Sequence, residues 1–135
     1  MPRRPLDPTR GVLEIDWPLF GELCRGLALR VAREYDPDLI LGIAKAGVIP
    51  GAVIAAIMER EFGSMTVTRP EGGELPVLIS GPPAGIRGRR ILVVDETCDS
   101  GHTLKLALNV VRAAEPAEVR TAVSFRTGPF EPDFH

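Results

Sequence analysis

Residues 91–104 constrain the fold of this chain more than any other stretch. Ile91, Leu92, Val93 and Val94 are four consecutive apolar, mostly β-branched residues, the pattern of a strand buried on both faces. Adjacent carboxylates follow at Asp95 and Glu96, a third stands at Asp99, and the turn Ser100-Gly101-His102-Thr103 opens an amphipathic helix. A strand that ends in acids and turns through Ser and Gly into a helix suits a phosphorylated sugar. The N–H groups and hydroxyls of such a turn take the phosphate at the helix N-terminus. The acids are left to face sugar hydroxyls or a metal.

A second strand-loop-helix unit precedes it. Leu39–Ile43 is another buried strand, Ala44-Lys45-Ala46-Gly47 is a short loop, and a helix is expected from about Val48 to Glu61. That helix is apolar almost all round through Met58 and should be well buried. Two helix N-termini at one sheet edge suit a ligand with two separated anionic groups. Lys45 would add a compact cation; Lys45 and Lys105 are the only lysines in an arginine-biased chain. Taken alone, the Ala44–Gly47 loop is also what ordinary strand-to-helix packing produces.

The remaining pattern completes an alternating order. Val12–Ile15 reads as a short strand, and Asp16 as the cap of a helix with an apolar stripe at Leu19 or Phe20, Leu23, Leu27 and Val31, ended by Pro37. Trp17 and Phe20 read as core. Met65–Arg69 and Leu75–Ser80 flank a Pro/Gly turn, giving a hairpin or mobile flap over 65–80. A helix over about Gly101–Ala114 and a strand over Glu118–Phe125 close the pattern. Residues 1–10, with three prolines and three arginines, form a loose arm, and residues 127–135 have no periodicity. This order predicts a single α/β domain over 1–135 with a mainly parallel sheet flanked by helices. Ligands should bind outside the carboxyl ends of its strands.

Composition narrows the partners. A formal net charge of −2 gives no basic footprint, so a nucleic-acid partner is not expected. Cys24 and Cys98 lack metal-ligand spacing and read as free thiols of a reducing compartment. No apolar run approaches membrane-spanning length, and the N-terminus has no signal-like apolar segment. A cytoplasmic protein without a membrane partner is expected.

The segment Val93–Thr103 resembles the phosphoribosyl pyrophosphate (PRPP) motif of type I phosphoribosyltransferases, and Gly42–Pro50 resembles that family's pyrophosphate loop. The resemblance spans about Asp36–Arg126. It is strongest to the small bacterial xanthine–guanine and hypoxanthine branch, where a tryptophan-led first helix and a Pro-Asp-aromatic segment also occur. It implies the Rossmann-like fold of that family and transfer of phosphoribose from PRPP to a nucleobase, most simply a 6-oxopurine, in purine salvage. By the same resemblance, Asp95 and Glu96 hold the ribose hydroxyls and, through water, Mg²⁺. Thr97, Cys98, Ser100, Gly101, His102 and Thr103 wrap the 5′-phosphate. Lys45, Ala46, Gly47 and Arg69 hold the pyrophosphate, with a cis peptide expected after Lys45. Asp99 accepts or returns the proton on purine N7. A homodimer or tetramer is implied as well.

Two departures from the family pattern concern the base. Arg126 stands where a lysine usually reads the exocyclic oxygen, and its planar fork needs a different geometry. The segment 127–135 reads as a remnant of the base-binding hood, with Phe130 or Phe134 as stacking candidates. Two other functions remain open: a PRPP-sensing regulator on the same fold, and transfer to a non-purine base. Cys98 reads as loop packing rather than a nucleophile, and His102 as a loop N–H donor rather than a base. Lys105, Asn109 and Arg112 read as a solvated helix face.

Overall fold

The computed structural model describes residues 15–70 and 75–135. Asp16 starts the first helix, its carboxylate accepting the Leu19 N–H at 2.9 Å. Helix α1 (Trp17–Glu34) then buries Cys24, Leu27, Ala28 and Val31, a stripe at helical spacing. It stops at Tyr35, two residues before Pro37. The strand expected at 12–15 lies largely outside the described residues, as does the arm at 1–10, and Ile15 itself is not in a strand.

Strand β1 (Leu39–Ala44) leads through the Lys45 loop into helix α2 (Val48–Met58). Strands β2 (Glu61–Thr68) and β3 (Val77–Ser80) form an antiparallel pair. Strand β4 (Arg90–Cys98), helix α3 (His102–Ala113) and strand β5 (Glu118–Arg126) follow. The sheet order is β3-β2-β1-β4-β5. All neighbours are parallel except β3, which lies antiparallel at one edge. Helices α1 and α2 cover one face and α3 the other, so β1 and β4 are buried on both sides. The α/β architecture is the one the element order predicts.

Three expectations need correction. Helix α2 ends three residues early, at Met58, because Glu59 turns left-handed and the chain at once enters β2. The first half of β2 is therefore an inner part of the parallel sheet against β1, and only residues 66–68 pair with β3 as a hairpin. Nor is α2 buried all round: Ile49 and Ile57 are 48% and 44% exposed, since the sheet and α1 cover only part of its circumference. Trp17 is not core either. Its ring is 73% exposed at the first turn of α1.

The segment after β5 is ordered despite its lack of periodicity. Phe134 is 2% exposed and packs among Leu27, Val31, Leu92 and Ala122. Its N–H donates to Thr121 O at 2.9 Å, its carbonyl accepts from Val123 N at 3.1 Å, and the Asp133 carboxylate accepts the Thr121 N–H at 2.8 Å. These contacts make Phe134 an inner side chain beside β5. It leaves the set of base-binding candidates.

Candidate functional site

The site follows from where β1 and β4 end. Both run in the same direction in the middle of the sheet, so the loops after them emerge side by side. Gly47 brings them into contact: a Cβ there would lie 2.5 Å from Val94 O, 2.8 Å from Ile43 O and 2.9 Å from Asp95 Cα. Real Cβ atoms do not approach backbone so closely, so only glycine lets the first loop press against the end of β4. The Lys45 loop and the acids thus share one edge. A cis peptide is present here, between Ala44 and Lys45, one bond earlier than expected.

Helices α2 and α3, which start from the two loops, lack a side-chain cap. Gly47 precedes α2 and Gly101 precedes α3, neither supplying an oxygen to the first-turn N–H groups. The contrast with Asp16 on α1 is direct. Uncapped N-termini present unsatisfied donors and the positive end of the helix dipole to an anion. At α3, Ser100 Oγ lies 3.5 Å from the His102 N–H. Gly101 has φ +83°, a left-handed turn that glycine makes without strain. The Phe130 ring lies where a Cβ on Gly101 would be.

The carboxylates are delivered by the strand itself. β4 continues through Asp95, Glu96 and Thr97 to Cys98, not ending at Val94. Adjacent strand residues point to opposite faces, and Asp95 and Glu96 accordingly line different cavities. Asp95 borders a small polar cavity of about 30 Å³ with Arg69, Thr97, Asp99, Gly101 and Thr103. Glu96 borders a cavity of about 430 Å³ with Ala46, Trp17, Phe20, Ile49 and Phe125. The two acids expected to act together on ribose and metal therefore open onto separate spaces.

Burial pushes the Asp95 carboxyl up to about 6, and the neighbouring Glu96 charge adds to this. The Glu96 N–H, donated to Asp95 Oδ1 at 2.8 Å, opposes the rise. Burial also raises the Cys98 thiol, with Asp95 and Asp99 reinforcing it, so Cys98 is a packed thiol rather than a reactive thiolate. Lys105, Asn109 and Arg112 are exposed, with Lys105 Nζ 5.8 Å from the Phe130 ring centroid.

The last segment backs the α3 loop. The Thr127 N–H donates to Cys98 O at 2.8 Å and the Phe130 N–H to Asp99 O at 3.3 Å. Gly128 sits against Asp99 so closely that a Cβ would overlap its carboxylate. Arg126, expected at the base, donates through Nε to Phe130 O at 2.9 Å and pairs with Glu131 at 3.4 Å. In this arrangement Arg126 and Phe130 serve the loop's support.

Among the described residues, no three His, Cys, Asp or Glu side chains converge as a metal cage. That donor set still fits Mg²⁺, which keeps several waters and is commonly held by one or two carboxylates plus substrate phosphates. Glu96, facing the larger cavity beside Ala46, and the half-buried Asp95 are the carboxylates in reach of this edge.

The phosphoribosyl transferase domain model matches residues 14–131. The chain belongs to that family. An adenine phosphoribosyltransferase of Mycobacterium avium is 32% identical over 89 residues, covering 66% of this chain and 44% of the relative. The chain thus spans less than half the length of that curated relative. A purine phosphoribosyltransferase structure from Pyrococcus horikoshii superimposes with a TM-score of 0.80 at 25% identity, over 88% of this chain and 82% of that one. The Helicobacter pylori xanthine-guanine-hypoxanthine phosphoribosyltransferase shares the fold, with a TM-score of 0.76 at 19% identity over 87% and 81%.

Sequence reasoning missed the aromatic wall of the larger cavity. Trp17, Phe20 and Phe125 come from opposite ends of the chain. One signal was available. A helix entering a parallel strand through a short loop runs antiparallel to it, so the start of α1 must arrive at the carboxyl edge of the sheet.

Proposed function

We propose that the chain is a PRPP-dependent phosphoribosyltransferase acting on a purine, with a 6-oxopurine as the first acceptor to test. The observation that carries this reading is the pairing of two uncapped helix N-termini at one edge, pressed together by Gly47, with Glu96 facing the adjoining cavity. One N-terminus suits the 5′-phosphate and the other, with Lys45, the pyrophosphate. PRPP has that spacing of anions across a ribose. The xanthine-guanine-hypoxanthine neighbour and the adenine relative both favour a purine.

In this reading the α3 loop binds the 5′-phosphate through the N–H groups of Gly101, His102 and Thr103 and the hydroxyls of Thr97, Ser100 and Thr103. Glu96 accepts hydrogen bonds from the ribose hydroxyls, and Asp95 supports the end of β4 beneath them. The C1′–O bond breaks with its electron pair leaving on pyrophosphate, which Lys45 and the α2 N-terminus stabilise. A base nitrogen bonds to C1′, and the proton that the purine gives up, from its N7, passes to the Asp99 carboxylate. Mg²⁺, when bound, neutralises the departing pyrophosphate. Much of the rate gain in such a reaction comes from holding donor and acceptor in line.

Incubation with PRPP, Mg²⁺ and each of hypoxanthine, guanine, xanthine, adenine, uracil and orotate tests the proposal through pyrophosphate release. Release with at least one purine is expected. PRPP binding without release from any base would overturn the enzyme and favour a PRPP-sensing regulator, and release with a pyrimidine alone would move the acceptor class.

A further inference from the structure

The segment after β5 crosses the outer side of that edge strand and is held on both faces of the sheet. Phe130 packs against the buried cluster on the α3 face, which includes Cys98 and Leu104. Phe134 is buried on the opposite face, in the cluster with Leu27 and Val31, and bridges Ala122 of β5. Between the two rings the Asp133 carboxylate accepts the Thr121 N–H at 2.8 Å and the Thr121 hydroxyl at 3.1 Å. Pro129 and Pro132 stand on either side of Phe130 and fix the backbone there, since the proline ring locks φ. A stretch without periodicity is thus a stiff strap, bolted to the core at its far end.

We infer that residues 127–134 set the position of the Asp99 carboxylate, with Gly128 and Phe130 as positioning residues that act through it. The inference rests on the phosphoribosyl reading above and adds to it how the proton acceptor is held. The near end of the strap lies along the turn that carries Asp99, through the hydrogen bonds from Thr127 N–H to Cys98 O and from Phe130 N–H to Asp99 O. Gly128 sits between those two bonds, and a Cβ there would overlap both Asp99 Oδ1 and the Asp99 carbonyl. Gly128 is not in the left-handed region, so alanine could adopt its backbone. The contact with Asp99, not the conformation, is what excludes a side chain. Asp99 is exposed and forms no ion pair among the described residues, so packing against Gly128 limits the rotamers open to it. The Phe130 ring, in turn, fills the space that a Cβ on Gly101 would need, and the Arg126 Nε bond to Phe130 O holds that residue in place. The strap therefore touches both the proton acceptor and the glycine that opens α3.

A double-mutant cycle on the full chain tests this, read as pyrophosphate release from PRPP and the base that the parent uses. A misplacement of about 1 Å costs on the order of 10²-fold in rate, so Gly128→Ala should lower kcat about 10–10²-fold. The Kd of ribose 5-phosphate, measured by calorimetry, should stay within about threefold, because the turn's N–H groups still meet the phosphate. Placed in the Asp99→Asn chain, the same change should cost less than about twofold in kcat, since the proton acceptor it acts on is already gone. Phe130→Ala adds no atoms, should show the same dependence on Asp99, and decides the matter if Gly128→Ala does not fold. Equal losses of kcat with and without the Asp99 carboxylate overturn the positioning role, as does a drop in Tm with kcat unchanged. A parent that releases no pyrophosphate with any base overturns the phosphoribosyl reading instead, whereas an active parent with additive variants overturns the strap alone.

Discussion

The two edges of the sheet treat charge in opposite ways. At the amino edge, where β1, β2 and β4 begin, charged side chains pair with one another. Asp38 meets Arg90 at 3.0 Å, Asp36 meets Arg60 at 2.9 Å and Arg90 at 3.4 Å, and Arg89 pairs with Glu61. At the carboxyl edge, Asp95, Glu96, Asp99 and Lys45 form no ion pair among the described residues. The helix starts at the carboxyl edge differ among themselves: α1 is capped by Asp16, while α2 and α3 open on glycines without a side-chain cap. A scaffold edge satisfies its own polar groups. An edge built for a ligand leaves them to be satisfied by it.

Asp99→Asn probes the carboxyl edge where the largest effect is expected. With a proton-transfer role, turnover should fall about 10²–10⁴-fold. PRPP affinity should stay within about threefold, as the phosphate contacts come from neighbouring N–H groups. Steady-state kinetics alongside calorimetric PRPP binding separate the two, and an equal loss in both would reduce Asp99 to a binding residue.

Asp95→Asn probes the stability cost of that edge. The carboxyl titrates near 6 in the folded chain against ~3.9 in an unfolded one. The folded state therefore binds the proton more tightly, so this group's contribution is most favourable below about 4 and is lost as pH rises through 6. The Asn variant should exceed the parent in stability by about 1–3 kcal/mol at pH 8. The gap should close toward pH 4 in chemical denaturation, and a pH-independent difference would contradict this account of Asp95.

Asp38→Asn probes the amino edge, where the effect should be smallest and of opposite sign. Hydrogen bonds and charge from Arg90 hold the Asp38 carboxyl down to about 2. Its contribution is present above the unfolded value near 4 and is lost as pH falls through about 2. The variant should be modestly less stable at pH 7, no different at the acid end, and unchanged in PRPP affinity. A change in affinity would mean that the two edges are not independent.

Residues 91–104 and 39–47 carried most of the fold and of the two glycine-containing loops at the carboxyl edge in their own order. Buried strand patterns followed at once by Gly-containing turns are local signals, and local signals survive in a linear reading. Phe134 and Trp17 resisted it for the same physical reason. An isolated aromatic without periodic neighbours carries no sign of which surface it will meet, so Phe134, expected at a ligand, is in the core, and Trp17, expected in the core, stands exposed at the first turn of α1.

By itself, then, the sequence determined the α/β order, the two glycine-opened helices and the set of acids and lysine placed beside them. Tertiary structure decided how those acids divide: β4 runs on to Cys98, and strand alternation sends Asp95 and Glu96 to different cavities. It also decided that α1 places Trp17 on the same cavity wall as Phe125, 108 positions further along the chain. Period and turn chemistry act between neighbours, whereas a cavity wall is assembled from residues that only packing brings together.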